Sequence, residues 1–211
     1  MKQYLLSQFG HPHGIVGSLV GKVMAYENRE RIAWALSLLD LQPDDWVLEI
    51  GFGPGLGIEQ AAQKTTAGLV AGVDISKTMV QQAGRRNGRG IHEGRVELRQ
   101  GSVQHLPYEQ DTFDEVFTIN SLHHWPDSDE GLRETWRVLK PGGLIAIAEQ
   151  PHGAQSEAVA QKRGDSLMEQ LADAGFHRVG FTSESLKRGP TICVLGFKPV
   201  RSEQKGIILS Q

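Results

Sequence analysis

At 211 residues, 39% of them hydrophobic and 22% charged, the chain has the make-up of an ordinary globular protein with one sizeable core. A net charge of −3 gives no electrostatic reason to expect a nucleic-acid surface, and no apolar run approaches the roughly 18 residues of a membrane span. The single cysteine, Cys193, excludes an internal disulfide and a cysteine-rich metal site, and its apolar neighbours predict a small core residue. Met1 to Phe9 lack the long apolar region of a signal peptide, so a cytoplasmic location is expected.

In chain order, Gly10-His11-Pro12-His13-Gly14, with Gly17 and Gly21, is too glycine-rich for a stable helix. Between the glycines it is too apolar (Ile15, Val16, Leu19, Val20) for a disordered tail. From Lys22 to Leu39 the pattern turns helical. Ile32, Ala35, Leu36 and Leu39 recur on one face, Trp34 and Leu38 broaden it, and Gln42-Pro43-Asp44-Asp45 ends it.

Trp46 to Ile50 then reads as a short buried strand, cut off by Gly51, Gly53, Gly55 and Gly57 at every second position. Glycine allows both a sharp turn and the close approach of a ligand to the backbone. Ile58 to Gln63 is good helix-forming sequence, so the whole is a strand, a glycine turn and a helix. The dinucleotide fingerprint G-x-G-x-x-G requires its third glycine three positions after the second. Counted from Gly51, Gly53 or Gly55 as the first glycine, that position holds Leu56, Ile58 or Gln60, so no register fits. What stands here is Glu49-x-Gly51-x-Gly53-x-Gly55. It resembles motif I of the class I S-adenosylmethionine (SAM) dependent methyltransferases. A carboxylate at the strand end suits a ligand bearing an ammonium, where a pyrophosphate site would avoid one. The resemblance implies that Glu49, Gly51, Phe52, Gly53 and Gly55 hold the methionine end of SAM. It also implies that the segment before the first strand folds over the cofactor as a lid. His11 and His13 then either line the site or are surface histidines flanking a turn proline.

Gly68 to Asp74 reads as the second strand. Asp74 ends it 23 residues after Gly51, where an acid can accept from both ribose hydroxyls. Ser76 is a fitting N-cap for a helix through Met79, Val80 and Ala83. The resemblance places Ile75 and Met79 against the adenine, although Met79 could equally be core. Gly84 to Gly90 is a basic, glycine-rich loop with no aromatic interleaved, which reads as solvated surface. Val96 to Gln100 alternates as a third strand. The loop after it, Gly101-Ser102-Val103, corresponds to the loop that meets the adenine edge in similar methyltransferases. There Ser102 stands where an acid is common.

Asp111 to Asn120 enters and completes a fourth strand, followed by Ser121-Leu122-His123-His124-Trp125-Pro126, and the resemblance implies that Asn120 is among the cofactor-binding residues. In open α/β sheets ligands sit beyond the carboxyl ends of the strands near the switch point, which puts this loop at the site. His123 and His124 are candidate proton acceptors, needed only if the methyl acceptor is a hydroxyl, an amine or an acidic carbon. Asn120-Ser121-Leu122-His123 lacks the Asn-Pro-Pro-Tyr pattern of enzymes that methylate nucleobase or glutamine amino groups, and resembles instead the small-molecule branch of the family. Asp127-Ser128 caps the next helix, whose stripe is Leu132, Trp136 and Leu139. Leu139-Lys140-Pro141-Gly142-Gly143 turns into a fifth strand, Leu144 to Glu149, with Glu149 and Gln150 facing the site and His152-Gly153 near the acceptor. Ser156 to Ala174 is helical and capped by Gly175. His177 to Thr182 and Thr191 to Phe197 follow as strands, and their short connection through Arg188-Gly189-Pro190 requires an antiparallel pair.

The expected fold is therefore α/β: a doubly wound seven-stranded sheet, mostly parallel, with a C-terminal antiparallel hairpin and helices on both faces. Residues 1–41 form a helical or lid segment, 42–198 the SAM-binding domain, and 199–211 a loose tail. The expected activity is methyl transfer from SAM to a small molecule, yielding S-adenosylhomocysteine (SAH). Neither metal, nucleic acid nor membrane is expected as a partner, and a homodimer is one way to complete a short-looped pocket. An NAD-dependent oxidoreductase and a non-catalytic SAM-binding protein are the alternatives.

Overall fold

A computed structural model describes residues 29–151, 156–186 and 189–200. The expectations for His11 and His13, the lid, His152-Gly153 and the tail from residue 201 fall outside these residues. Helix α1 spans Arg29–Leu38, β1 Trp46–Ile50, α2 Leu56–Lys64, β2 Leu69–Asp74, α3 Lys77–Arg86, α4 Gly88–His92 and β3 Val96–Gln100. After these come β4 Phe113–Ile119, α5 Ser128–Val138, β5 Leu139–Glu149, α6 Glu157–Asp173, β6 His177–Leu186 and β7 Gly189–Phe197.

The strands form one seven-stranded sheet in the order β3-β2-β1-β4-β5-β7-β6. Pairing is parallel from β3 to β5, and β7 then runs antiparallel to both β5 and β6. The expected doubly wound sheet with an antiparallel ending is therefore present. Strand alternation divides the core in two. Leu48, Ile50, Val73, Val116, Ile145 and Ile147 pack against α5 and α6 through Leu132, Val138, Leu167 and Leu171. Their alternates Val47, Val70, Phe117, Ala146 and Cys193 pack against α1, α2 and α3 through Ile32, Ala35, Leu36, Ile58, Ala61 and Ala83. Helices thus cover both faces, and Cys193 is fully buried with its thiol pushed up to about 12 by burial. The chain order reverses between β1 and β4, which opens a crevice above their carboxyl ends.

Four details differ from the sequence expectation. The basic stretch after Gly84 is helical rather than a loop: α3 runs on to Arg86, and α4 follows after the buried Asn87. Leu139 already pairs with Phe113, so Lys140–Gly143 is an irregularity inside β5, and Gly142 and Gly143 exchange backbone bonds with Lys198. Leu132 and Leu139 are fully buried, but Trp136 is only half-buried, donating from Nε1 to the Gly175 carbonyl at 3.3 Å. The hairpin is also longer than expected, with pairs reaching Leu186 opposite Gly189.

Candidate active site

The β1–α2 turn is held by contacts that differ from glycine to glycine. Gly51 has φ of +71°, and a side chain there would stand 2.5 Å from the Ser121 Cβ and overlap its hydroxyl. Its own amide donates to the Val73 carbonyl at 2.8 Å, prolonging the β1–β2 ladder. At Gly55 an added Cβ would lie 2.5 Å from the Ala83 Cβ and 2.7 Å from Asn87 Nδ2. That Asn87 amide donates to the carbonyls of Gly55 and Ala83, both at 3.0 Å, and so fastens the turn to α3. Gly53, with φ of +52°, has nothing within 4 Å of where its Cβ would be, so its flank is open. Its amide donates to Asp74 Oδ2 at 2.8 Å.

Glu49 is 3% exposed at the end of β1, and its carboxylate lies against Gly57, leaving no room for a methyl group there. Burial holds its carboxyl well above the usual carboxylate range, the Ile58 amide pulls it partly back, and the negative Asp74 adds to the rise. Ile58 belongs to the first turn of α2, whose N-cap Gly55 offers no side chain, so Glu49 caps this helix from the neighbouring strand. The other oxygen, Oε2, is buried and has no hydrogen-bond partner among the described residues.

Asp74 is also buried, with Oδ1 accepting from the Ser76 amide and Oδ2 from Gly53, each at 2.8 Å. Desolvation raises its carboxyl and the two amides oppose that rise. Each oxygen keeps capacity for a further donor. Ile75 is 65% exposed at the strand tip, an unusual position for a large apolar side chain, whereas Met79 is 6% exposed. The Ser76 hydroxyl caps α3 by accepting from the Met79 amide at 3.4 Å. Gly101 donates to the Asp74 carbonyl at 3.1 Å, which brings the loop after β3 beside it. Ser102 caps the short 3₁₀ turn Val103–His105, and the Val103 side chain is buried in the α5-side core.

Asn120, the residue after β4, has φ of +52° and accepts the Gln150 amide on Oδ1 at 2.9 Å. Ser121 touches the glycine turn and accepts from Trp125 Nε1 at 3.1 Å. His123 and His124 lie exposed on the 3₁₀ turn Leu122–His124, their ring centroids 3.9 Å apart. Glu149 and Gln150 are committed to neighbours: Glu149 binds Arg163 of α6 at 2.5 and 3.1 Å, and Gln150 Oε1 accepts from Arg31 of α1 at 2.7 Å. The turn, Asp74, the loop after β3 and the loop after β4 thus meet at one end of the sheet. Asn87, Ser121 and Arg31 join them through long-range contacts that no local pattern in the sequence announces.

A methyltransferase-domain model matches residues 48–147. The uncharacterized methyltransferase YdaC of Bacillus subtilis is 30% identical over 182 residues, which cover 86% of this chain and 98% of YdaC. The chain belongs to the class I SAM-dependent methyltransferases. Another relative of this methyltransferase is the 27-O-demethylrifamycin SV methyltransferase of Amycolatopsis mediterranei, 34% identical over 128 residues. That match covers 57% of this chain and only 46% of the relative. A SAM-dependent methyltransferase from Aquifex aeolicus shares the fold with a TM-score of 0.68 at 20% identity, covering 83% of this chain and 96% of that chain. SAM is the cofactor. The residues present fit it: a buried carboxylate oxygen without a partner, a glycine with an open flank, and an acid with acceptor capacity to spare all border one turn. The family match and the antiparallel β7 set aside the NAD-dependent reading. Among the described residues no helix is long and apolar enough to cross a membrane, and no three His, Cys, Asp or Glu residues form a group that could hold a metal.

Proposed function

We propose that this methyltransferase acts on a small-molecule acceptor, using a site built at the carboxyl ends of β1, β2 and β4. The observation that carries the site assignment is the pairing of Asp74 with the Gly53 amide beside the partnerless oxygen of Glu49. Glu49 and the turn from Gly51 to Gly55 would hold the amino-acid end of SAM, with Phe52 buried beneath the turn. Asp74 would accept from the ribose hydroxyls. Ile75, Met79 and the backbone of Gly101, Ser102 and Val103 would border the adenine. Asn120 shapes the loop on the acceptor side. Bound there, SAM supplies a methyl group on a good leaving group, so alignment is most of what the protein must add. His123 and His124 stand at the rim, where either can take a proton from a hydroxyl or amine acceptor.

Two features support a small acceptor over a nucleic acid. The loop after β4 lacks an Asn-Pro-Pro-Tyr segment, and four of the five arginines around α3, α4 and β3 are paired with acids: Arg86 with Glu59, Arg89 and Arg95 with Glu93, Arg99 with Glu97. The test is calorimetric titration of wild type and Asp74→Ala with SAM, SAH and NAD. SAM and SAH should bind wild type, bind the variant at least about tenfold more weakly, and NAD should bind neither. An unchanged SAH affinity in a folded Asp74→Ala protein would overturn the site assignment. Methyl transfer to small hydroxyl, amine and carbon-acid acceptors, with RNA as the contrasting arm, then tests the acceptor class.

A further inference from the structure

We propose that Glu134 and Arg137 are positioning residues for cofactor binding: a charged clamp on α5 that presets the backbone of the loop after β3. The inference rests on the reading above that this loop borders the adenine.

Leu106 follows the 3₁₀ turn Val103–His105 and precedes Pro107, so its backbone belongs to neither a helix nor a strand ladder. It is 4% exposed, and a buried peptide N–H or C=O left without a partner is costly. Two side chains of α5 bond both groups, and the carbonyl also accepts from the Tyr108 amide at 2.8 Å. The Leu106 amide donates to Glu134 Oε2 at 2.9 Å, and Arg137 Nη2 donates to the Leu106 carbonyl at 3.0 Å. Arg137 Nη1 donates to the Tyr108 carbonyl at 2.8 Å, two residues on. Glu134 and Arg137 also grip each other in a bidentate pair at 2.7 and 2.8 Å, which fixes both planes. Arg137 keeps the Glu134 carboxyl below its usual range, so the clamp is charged at neutral pH. One turn earlier, Glu130 accepts from Gln104 Nε2, and residues 130, 134 and 137 share one helix face.

At its other end the loop is tied to Asp74 by the Gly101 amide. Gly101, Ser102 and Val103 therefore hang between a tie to the ribose-side strand and a clamp on α5. The helix itself does not depend on the clamp, because Leu132, Thr135 and Val138 bury it in the core. Removing the clamp should loosen the loop and leave α5 in place. A loosened loop must be ordered when cofactor binds, and the apparent affinity falls by the fraction of the competent form that is lost.

The experiment combines SAH titration calorimetry with hydrogen–deuterium exchange on wild type, Arg137→Met, Arg137→Lys, Glu134→Gln and Leu36→Ala. Leu36 lies in the core of the opposite face, so its variant reports general destabilisation. We expect Arg137→Met to weaken SAH binding about tenfold, the worth of a charged hydrogen bond. Arg137→Lys and Glu134→Gln, which each retain part of the clamp, should lose less. Exchange at residues 102–106 should rise in Arg137→Met without SAH, and Leu36→Ala should bind as wild type does. Should SAH fail to protect residues 101–106 in wild type, the adenine reading itself falls. Protection there, with SAH affinity in folded Arg137→Met within about twofold of wild type, overturns the clamp alone. An equal loss of affinity in Leu36→Ala also overturns it, since general stability then explains the effect.

Discussion

Replacing Glu115 by Gln should stabilise the protein in mildly alkaline solution, and the size of the gain follows from where that carboxyl lies. Glu115 is 8% exposed on β4, opposite Val47 of β1 and Leu144 of β5. Its Oε2 has no hydrogen-bond partner among the described residues. Burial first, then the negative Asp45, Asp40 and Asp114, push its pKa up from 4.5 to about 7, and only Lys64 pulls it back. The folded state therefore holds this proton more tightly than the unfolded chain does. Between pH 4.5 and about 7 the unfolded chain releases it while the folded one keeps it, so stability falls as pH rises through that window and levels off above it. At about 1.36 kcal/mol per pKa unit the rise is worth at most about 3 kcal/mol. The part of Glu115 that still meets solvent is screened, leaving about 1–2 kcal/mol. Gln keeps the shape and carries no charge. Urea unfolding of both proteins at pH 5, 7 and 8.5 measures the difference. Asp45, Glu49 and Asp74 are also raised, so both curves slope, and their difference isolates Glu115. The variant should match wild type at pH 5 and exceed it by about 1–2 kcal/mol at pH 8.5. A difference that stays constant with pH, or a variant less stable at pH 8.5, refutes the reasoning.

Two glycine comparisons test the packing around the turn. Ala in place of a helical Gly ordinarily gains up to about 1 kcal/mol, and Gly84 of α3, with open space beside it, should follow that rule. Gly57→Ala should do the opposite, losing about 1–3 kcal/mol because the methyl would lie 2.5 Å from Glu49 Oε2; thermal melts of the two variants read the opposed signs. Gly51→Ala should be destabilising through both its positive φ and its clash with Ser121, and Ser121→Gly in the same chain should restore only the steric share. A double-mutant cycle should give a coupling of about 1–2 kcal/mol, and zero coupling would mean that the two residues do not press on each other.

The parts of the fold that were legible from the sequence are those where local pattern and burial agree. Strands β1, β2 and β4 are short, mostly buried runs that their apolar character marks, with Gly51 and Asp74 also marking the ends of the first two. The far end of the hairpin, Ser183 to Leu186, is not legible, because Ser183, Glu184 and Ser185 are exposed and only backbone pairing with β7 makes them a strand. Around Gly84 to Gly90 the glycines argue against helix, yet Asn87 is buried and its amide bonds to Gly55 and Ala83 hold α3 against the turn. Tertiary contact there outweighs propensity. Trp136 falls on the apolar stripe by period, but its indole N–H reaches the Gly175 carbonyl and its ring lies under Lys198 Nζ at 4.0 Å, at the rim of the core.

The site divides along the same line. Glu49, the alternate glycines and Asp74 could be picked out because strand ends fix where those side chains go, within a few residues of the signal. Their supports could not, since Asn87 lies 32 residues from Gly55, and Leu106 lies 28 from Glu134. A sequence shows that a glycine is present without showing what excludes its Cβ. The structure separates these causes: Ser121 fills the space at Gly51, Ala83 and Asn87 fill it at Gly55, and the Glu49 carboxylate fills it at Gly57. Only at Gly53 is the flank open, and there the amide already holds Asp74. Three of the four glycines are thus explained by the protein's own packing. Gly53 is the position where packing leaves the space beside the backbone free, which is where the proposed site would place the cofactor.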